Sequence, residues 1–365
     1  MKFIITKDIL VTALQIVLGP TTTKQNIPSL GCVLISSEKE YLKFTTTDLD
    51  LTITTKQKAD IKETGKVAIP MKRFLSIIRE LPSGNVTIET IKNNLSIRCE
   101  KIEFKVNTVN TEDFPFAPEP KELSLIKLDM VVLEEMIKLT SFCVGYDDSS
   151  YVLGGILFEI HEATVKLVST DGKRLAFMQK NLPSGQPEVK TKISFILPIK
   201  AVTELHKIIK EREGDLYVFT EDNRVGFDIG EVQFIARPLE GEFPNYKQYI
   251  PQETKERLFI NRTKLLYALK RASILTTSDY QGVKIELKKE GVVVYKNTPQ
   301  LGEVREVVEA RYEGQHLDIG FNPNYLTDAL KNLEEEEVCI HFSGPDKPAV
   351  LRRKDYVYLI LPMKT

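Results

Sequence analysis

The stretch that decides the fold is Phe3–Leu18, which reads FIITKDILVTALQIVL. Apolar residues fill its first positions, and the polar pair Thr6-Lys7 follows, which is typical of a short strand that ends in a turn. From Ile9 onward, apolar residues recur at the spacing of a helix with one buried face. The stretch therefore predicts a strand, a turn and an amphipathic helix.

The same pattern occurs six times, and we interpret it as an internal repeat. The other copies are VAIPMKRFLSIIREL from Val67, LIKLDMVVLEEMIKL from Leu125, FILPIKAVTELHKII from Phe195, LFINRTKLLYALKRA from Leu258 and IGFNPNYLTDALKNL from Ile319. Alignment on the turn residue matches Lys7, Met71, Leu128, Ile199, Arg262 and Pro323. The mean spacing of these positions is about 63 residues.

The chain between the copies alternates apolar and polar residues with period two, which predicts strands joined by turns. The clearest examples are YLKFTTTDLDLTITT, NVTIETIKNNLSIRC, TVKLVSTD, RVGFDIGEVQFIARP and KIELKKEGVVVY. Each unit therefore contains one helix and three or four strands. The predicted fold class is α+β, with antiparallel sheets and helices on one side of them.

A second repeat has about twice the spacing of the first. Thr111–Phe116 reads TEDFPF and Gly241–Tyr246 reads GEFPNY, about 130 residues later. A Phe-Pro pair favours extended backbone, so both segments indicate connections between domains. Pairing the copies two by two predicts three domains, at 1–120, 121–251 and 252–365. Six such units side by side form a continuous sheet that is curved and able to close on itself.

Composition favours a cytoplasmic globular protein without a metal or another cofactor. No apolar run reaches the roughly 20 residues that span a bilayer, and Lys7 and Asp8 interrupt the apolar N-terminus, which argues against a signal peptide. The cysteines are far apart and indicate buried free thiols: Cys32, Cys99, Cys143 and Cys339. The histidines are equally scattered: His161, His206, His316 and His341.

The sequence contains short matches to enzyme motifs, but the surrounding residues that their chemistry requires are missing. Ser36-Ser37-Glu38-Lys39 matches the S-x-x-K of penicillin-recognising acyl enzymes, but it lies between two predicted strands and no K-T-G follows. No glycine-rich phosphate loop is present. Asp147-Asp148 and Glu334–Glu337 are carboxylate runs that solvated loops and helix ends explain more simply than a metal site.

The predicted helices carry a modest basic bias. Their six windows sum to +4, whereas the whole chain has a net charge of −1. Such helices could meet phosphates, which position a protein on nucleic acid without reading its sequence. Ordinary solvated helix faces explain the same bias equally well. Aromatic residues are not interleaved with the basic ones, which disfavours a groove for single strands.

Four motifs in this order resemble the bacterial DNA polymerase III beta subunit family, the sliding clamps, over essentially the full length. They are TDGKRLA at 170–176, EFPNY at 242–246, FNPNYL at 321–326 and LPMK at 361–364. The resemblance implies three clamp domains of two units each, with helices lining the inside and sheets the outside of a dimeric ring. It implies a non-catalytic processivity factor that encircles double-stranded DNA without sequence preference.

The resemblance also implies partners and their sites. A peptide groove binds the DNA polymerase III alpha subunit, the clamp loader and other proteins with a clamp-binding motif. Its residues by motif are Leu153, Thr170, Gly172, Lys173, Arg174, Leu175, Pro244, Tyr280, Asn322, Tyr325, Pro348, Leu361, Pro362 and Met363. The implied DNA contacts are Lys24, Lys72, Arg73, Tyr151 and Lys200. The implied contacts of the homodimer are Phe104, Val106, Ile274 and Leu275.

Three positions depart from the family pattern. The chain ends Lys-Thr, where Arg-Leu is more common, and Lys173 stands where His is frequent. Asp147-Asp148 lies in a loop expected near DNA, where two carboxylates weaken phosphate contact. Two other hypotheses remain at this point: an acyl-transfer enzyme using Ser36 and Lys39, and a scaffold that uses the groove without DNA.

Overall fold

The computed structural model describes residues 1–21, 27–115, 125–145, 151–186, 188–251 and 256–364. Every strand pairing between the named strands is antiparallel in this part of the chain. Six α-helices accompany the strands, one in each repeat copy. The predicted α+β class and the six helices are therefore confirmed.

The elements follow one another in the order that the repeat predicts. The first two copies contain β1 (Lys2–Thr6), α1 (Lys7–Ile16), β2 (Cys32–Glu38), β3 (Tyr41–Thr47), β4 (Leu51–Lys58), β5 (Asp60–Glu63), β6 (Lys66–Pro70), α2 (Met71–Glu80), β7 (Asn85–Ile91), β8 (Asn94–Cys99) and β9 (Ile102–Asn107). The next two contain β10 (Ile126–Asp129), α3 (Met130–Thr140), β11 (Gly155–Glu162), β12 (Thr164–Thr170), β13 (Arg174–Asn181), β14 (Val189–Pro198), α4 (Ile199–Ile209), β15 (Asp215–Glu221), β16 (Arg224–Ile229) and β17 (Val232–Ala236). The last two contain β18 (Glu256–Asn261), α5 (Arg262–Ser273), β19 (Val283–Lys288), β20 (Gly291–Thr298), β21 (Gly302–Val308), β22 (Ala310–Glu313), β23 (Leu317–Phe321), α6 (Pro323–Asn332), β24 (Glu337–Phe342), β25 (Ala349–Arg352) and β26 (Tyr356–Ile360).

Two details of the predicted repeat unit were wrong. Five aligned turn residues are the first residues of helices, but Leu128 lies in β10, and α3 begins at Met130. The aligned position was therefore two residues early, because Leu128 continues the buried side of the strand. The predicted separate turn is also missing from five copies, where the helix begins at the residue directly after the strand, and in the sixth only Asn322 lies between them.

Two of the helices begin directly after an asparagine whose side chain satisfies a free backbone amide. Asn261 and Asn322 cap α5 and α6, accepting hydrogen bonds from the backbone amides of Lys264 and Asn324. In α6, Pro323 follows its cap, at the first helical position, where a missing amide hydrogen costs nothing.

Copies combine in pairs by exchanging strands. In each pair, the strand before one helix pairs with the strand after the other helix, and the exchange is reciprocal. The exchanged pairs are β1–β7 with β6–β2, β10–β15 with β14–β11, and β18–β24 with β23–β19. The first amide of the odd-numbered helix also donates to a carbonyl beyond the even-numbered helix: Lys7 to Gly84, Met130 to Gly214 and Arg262 to Glu336. Pairwise organisation of six copies is thus a property of the hydrogen bonding.

The chain divides into two compact units. The first, residues 1–131 and 203–238, contains a five-stranded sheet in the order β5-β1-β7-β8-β9 and an eight-stranded sheet in the order β10-β15-β16-β17-β4-β3-β2-β6. The second, residues 132–202 and 239–365, contains a nine-stranded sheet in the order β14-β11-β12-β13-β26-β25-β24-β18-β22 and a four-stranded sheet in the order β21-β20-β19-β23. The middle pair of copies contributes strands to both units. The predicted boundaries at 120 and 251 stay predictions, and residues 116–124 and 252–255 lie outside the described residues.

Each unit has its own apolar core beneath helices that pack in pairs. In the first unit, α1 packs on α2, and Phe3, Phe44 and Phe74 are fully buried. In the second unit, α5 packs on α6, and Phe158 and Tyr358 are fully buried. Removal of this much apolar surface from water is the main stabilising contribution to such a fold.

Candidate functional site

The turn between β12 and β13 presents the first part of the site. Asp171 accepts hydrogen bonds from the amides of Lys173 and Arg174, both at 2.9 Å. Gly172 has φ +81°, a left-handed conformation that glycine adopts without strain. The TDGKR motif therefore folds as a compact turn with the Lys173 side chain exposed.

Arg174 joins this turn to α6. Its Nε donates to Asp171 at 2.9 Å, and its Nη1 donates to Asp328 at 2.8 Å. The guanidinium lies 4.5 Å from the ring centroid of Tyr325. Burial opposes the charge, but the hydrogen bond to Asp328 and neighbouring groups outweigh burial and raise the pKa of Arg174 above its usual value. Arg174 is therefore a permanently charged tie between two elements.

The carboxyl-terminal tail runs along the same turn. β26 pairs with β13, and beyond its end the amide of Leu361 donates to the carbonyl of Lys173 at 2.9 Å. The amide of Met363 donates to the carbonyl of Gly320 at 2.9 Å. The side chain of Leu361 is exposed, and those of Pro362 and Met363 are half-buried. The tail thus continues the sheet and leaves apolar side chains within reach of solvent.

An apolar cluster forms the floor beside the tail. Its buried members are Leu157, Val168, Leu175, Ile196, Tyr246 and Leu359, and its half-buried members are Val152, Phe177, Leu239, Phe243 and Ile250. The segment that reads EFPNY crosses this face and anchors itself with Tyr246, whose ring stacks on Phe177 at 5.8 Å. Pro244 of the same segment is exposed.

A buried carboxylate holds that crossing segment in place. Glu159 accepts a hydrogen bond from the hydroxyl of Tyr246 at 2.8 Å and is paired with Lys192. Burial opposes ionisation of Glu159, but these hydrogen bonds prevail and keep its pKa below the ordinary value. Burial and the same hydrogen bond raise the pKa of Tyr246. Tyr246 therefore stays neutral and donates its hydrogen bond to the ionised carboxylate of Glu159.

The remaining predicted groove residues lie around these elements in the second unit. Leu153 flanks Gly145, which also lies against Asp171. Pro348 directly precedes Ala349, whose strand partner is Ile360 next to Leu361. Tyr280 is half exposed and lies just before β19, whose first residue Val283 pairs with Phe321 beside Asn322. The carbonyl of Tyr280 accepts a hydrogen bond from Nζ of the buried Lys296 at 2.7 Å.

Sequence reasoning missed several residues that build this surface. They are Phe142, Glu159, Tyr246, Asp328 and Leu359. Leu359 and Tyr246 carried usable signals, because each belongs to a motif or strand that was recognised. Asp328 and Phe142 carried none, since only the fold brings them to Arg174.

The predicted DNA-contact residues that the structure describes lie on three different elements. Lys72 and Arg73 are exposed on the first turn of α2, and Lys200 holds the same second position in α4 as Lys72 does in α2. Tyr151 is 69% exposed. Lys24 and Asp147-Asp148 lie outside the described residues.

The predicted dimer residues lie at open ends of the fold. β9 and β21 are each the last strand of a sheet. Phe104 on β9 is 38% exposed, whereas Val106 is 7% exposed. Ile274, at the end of α5, is 76% exposed and stands out as an apolar side chain in water.

The alternatives from the sequence meet geometric obstacles. Ser36–Glu38 lies in β2 and Lys39 in the following turn, so the one-helical-turn spacing of an acyl enzyme is absent there. Within the described residues, no group of three possible ligands could hold a metal ion. Cys32, Cys99 and Cys143 are buried free thiols as predicted, but Cys339 is partly exposed. No described helix has both the length and the apolar character needed to cross a bilayer.

Comparison with known proteins assigns the chain along its whole length. Family models of the DNA polymerase III beta subunit match in sequence order: the N-terminal domain at 1–118, the central domain at 127–245 and the C-terminal domain at 247–364. The beta sliding clamp of Bacillus subtilis is 31% identical, with 100% of both chains covered.

Solved structures agree with the sequence relatives. The DNA polymerase sliding clamp from Bacillus subtilis superimposes with a TM-score of 0.94 at 30% identity, covering 100% of this chain and 99% of that one. A sliding clamp from Pseudomonas aeruginosa bound to griselimycin gives a TM-score of 0.94 at 28% identity, with both chains fully covered. The chain therefore belongs to the DNA polymerase III beta subunit family and is a non-catalytic DNA sliding clamp.

Proposed function

We propose that two copies of this chain form a cytoplasmic clamp around duplex DNA and hold a DNA polymerase through a peptide groove in the second unit. The single observation that supports the groove best is the tail, which is hydrogen-bonded to Lys173 and to Gly320 beside an apolar floor. Such a surface offers pockets for apolar side chains and backbone groups for an extended peptide. The partners are the DNA polymerase III alpha subunit, the clamp loader and other proteins with a clamp-binding motif.

The groove suits a short peptide of the Gln-Leu-x-Leu-Phe type. Leu175 and Leu359 lie at its floor, and Met363 supplies a flexible edge that adapts to different side chains. Two polar residues lie beside these apolar ones: Lys173, whose carbonyl accepts from Leu361, and Asn322, which caps α6. Their side chains can hold the ends of the peptide. The sliding clamp bound to griselimycin, among the most similar structures, supports ligand binding in this family.

Fluorescence anisotropy of a labelled peptide of this type tests the groove. We expect Met363→Ala to weaken binding by about tenfold or more, because loss of a buried apolar contact removes about 1.5 to 3 kcal/mol. Tyr217→Ala, an exposed aromatic on β15 in the first unit, is the matched control and should leave affinity unchanged. Light scattering should give about 83 kDa for both variants, twice the 41.5 kDa chain. Equal peptide affinity in both variants would refute the groove assignment.

DNA contact is assigned to Lys24, Lys72, Arg73, Tyr151 and Lys200. Exposed cations at the start of α2 support it, because a protein that slides needs salt-screened phosphate contacts and no base readout. Lys72→Glu with Arg73→Glu should shorten the lifetime of the loaded clamp on circular DNA at low salt. The same charge change at Lys92, in the β7–β8 turn, provides the control.

Three domains, at 1–120, 121–251 and 252–365, are part of this proposal. The three reciprocal strand exchanges support them, since each exchange joins two neighbouring copies. The dimer contact is assigned to Phe104, Val106, Ile274 and Leu275, and the exposure of Phe104 and Ile274 supports it. A monomer at micromolar concentration in light scattering would contradict the dimer.

A further inference from the structure

The sheet face that carries the groove floor continues across three further strands of the same sheet. Leu175 of β13 pairs with Leu359 of β26, which pairs with Val350 of β25. Val350 pairs in turn with His341 of β24, and His341 pairs with Arg257 of β18. Residues that lie directly opposite each other on neighbouring strands share one face. The apolar floor and the basic pair His341 and Arg257 are therefore on the same surface of the second unit.

A pocket of about 960 Å³ opens at the basic end of this row. Its walls include the basic side chains of Arg257, His341 and Arg352. Phe177 and Ile250 also line it, and both belong to the apolar cluster that forms the groove floor. The pocket is thus continuous with the groove.

Arg352 carries a charge that its own chain does not balance. It lies two positions after Val350 on β25 and therefore on the same face. Its Nη2 donates to the carbonyl of Pro251 at 2.7 Å. Within the part of the chain that the structure describes, Arg352 forms no salt bridge, and its Nε has no hydrogen-bond partner. Such a guanidinium retains the donors that a carboxylate accepts.

Arg257 is only weakly paired. It lies 3.6 Å from Glu313, and the two side chains are 47% and 40% exposed, so the contact is screened by water. Glu313 is also paired with Arg311 on the neighbouring strand. One carboxylate is therefore shared between two guanidinium groups, which leaves an excess of positive charge on this face.

The pocket's own acid does not cancel that excess. Among the described residues that line the pocket, the single carboxylate is Asp355, and it is paired with Lys180. Lys354, which follows Arg352 by two positions, also lines the pocket and is exposed. The pocket is therefore positively charged and open to solvent.

We propose that this pocket binds acidic residues of the same partner peptide that occupies the groove, about three to five residues outside its apolar pair. The inference rests on the peptide groove of the proposed function and adds a charge preference to its partners. Neighbouring strands lie about 4.8 Å apart, so the three spacings from Leu359 to Arg257 amount to about 14 Å. An extended peptide advances about 3.4 Å per residue and covers that distance in about four residues.

Acidic residues fit this surface better than other flanking residues. The planar guanidinium groups of Arg257 and Arg352 match the two oxygens of a carboxylate. A neutral flank leaves both charges unpaired, and a basic flank adds repulsion. Opposite charges beside a shared apolar groove favour the correct partner and make its binding depend on salt.

Fluorescence anisotropy with four labelled peptides tests the proposal. All contain Gln-Leu-x-Leu-Phe: one has serine flanks, one has Asp-Glu-Asp three to five residues after the motif, one has it the same distance before, and one carries three lysines in place of the acids after the motif. We expect one acidic peptide to bind about five- to tenfold more tightly than the serine peptide at low salt. The lysine peptide should gain nothing, and the gain should shrink in 1 M salt.

Variants of the chain locate the acidic contact. Arg257→Gln with Arg352→Gln should abolish the gain and leave the affinity for the serine peptide within about twofold. Arg224→Gln, an exposed arginine on β16 in the first unit, is the matched control and should keep the full gain. If the preferred acidic flank follows the motif, Arg257→Glu should favour the lysine peptide over that acidic one; if it precedes the motif, a peptide with three lysines there replaces the lysine peptide.

The possible failures are distinguishable. If no peptide binds the folded wild-type chain, the groove and this pocket both fail. If the serine peptide binds and Met363→Ala weakens it, but acids at neither end add affinity, the groove stands and the acidic contact is refuted. A gain that persists in the variant lacking both arginines also refutes it. Because Arg352 contacts Pro251, Arg257→Gln alone provides a second reading, and an undiminished gain there contradicts the proposal.

Discussion

Arg174 is the side chain whose loss should disturb the groove most. It makes two charge-assisted hydrogen bonds, at 2.9 Å to Asp171 and 2.8 Å to Asp328, and lies 4.5 Å from the centroid of Tyr325. Arg174→Ala removes these three contacts and the weaker one to the ring of Phe142 at 5.8 Å, and it leaves Asp171 without its cation, whereas Asp328 keeps Lys331 at 3.8 Å. Charged hydrogen bonds contribute about 1.5 to 3 kcal/mol each, and a cation over an aromatic ring about 0.5 to 1 kcal/mol.

Solvent exposure reduces that sum. The side chain of Arg174 is 10% exposed and that of Asp171 is 16% exposed, but the side chain of Asp328 is 33% exposed and regains hydration. We therefore expect a loss of about 3 kcal/mol in local stability, which corresponds to roughly a hundredfold faster hydrogen exchange. Hydrogen exchange measured by mass spectrometry on peptides covering 170–181 and 356–364 reports this loss of local stability.

Two comparisons make the measurement decisive. Arg174→Lys keeps the charge but loses the planar two-sided donor geometry, so it should recover less than half of the protection. Arg224→Ala replaces an exposed arginine on β16 and should leave exchange and peptide affinity unchanged. If Arg174→Ala exchanged and bound peptide like Arg224→Ala, the role of Arg174 as a tie between elements would be refuted.

Further predictions concern ionisation and reactivity. The pKa of Glu159 is held below its ordinary value in the folded chain. Its contribution to stability is therefore present above about pH 4.3 and is lost as the pH falls through the lowered pKa. Glu159→Gln should flatten the acid side of the curve of unfolding free energy against pH, and an unchanged acid side would contradict this role of Glu159. Cys339 is partly exposed and Cys32, Cys99 and Cys143 are buried, so a thiol reagent at pH 8 should modify Cys339 first and the other three only on unfolding. Burial also raises the pKa of Cys32 to about 11 and that of Cys143 well above its ordinary value, which further suppresses their thiolates. Gly172→Ala should cost about 1 kcal/mol in thermal unfolding because of its positive φ, with no steric clash, since nothing lies within 4 Å of the added carbon.

The repeat was predictable because its signals are local. Helical apolar spacing and period-two alternation each lie within one stretch of chain, and the helix positions followed from them. The third copy shows the limit. Leu128 is apolar and fits the pattern two residues early, and only the hydrogen bonds of β10 with β15 decide that the strand continues to Asp129.

The groove was predictable only as motifs, because its geometry comes from long-range contacts. Arg174 and Asp328 are 154 residues apart in sequence, and Tyr246 and Glu159 are 87 apart. No local pattern encodes such pairs. The reciprocal strand exchange was equally hidden, although the pairing of copies two by two had been inferred from the duplicated Phe-Pro segment. The pairings of β4 with β17 and of β13 with β26 became visible only once the sheet order was known.

If this chain holds DNA by encircling it, its retention must depend on whether the DNA is circular or linear. The clamp is loaded by a clamp loader onto nicked circular DNA, separated from free protein, and the DNA is then cut once with a restriction enzyme. A sliding clamp should stay on the circle at moderate salt and leave within seconds to minutes once the DNA is linear. Equal retention on circular and linear DNA would show binding without encirclement and would contradict a sliding clamp.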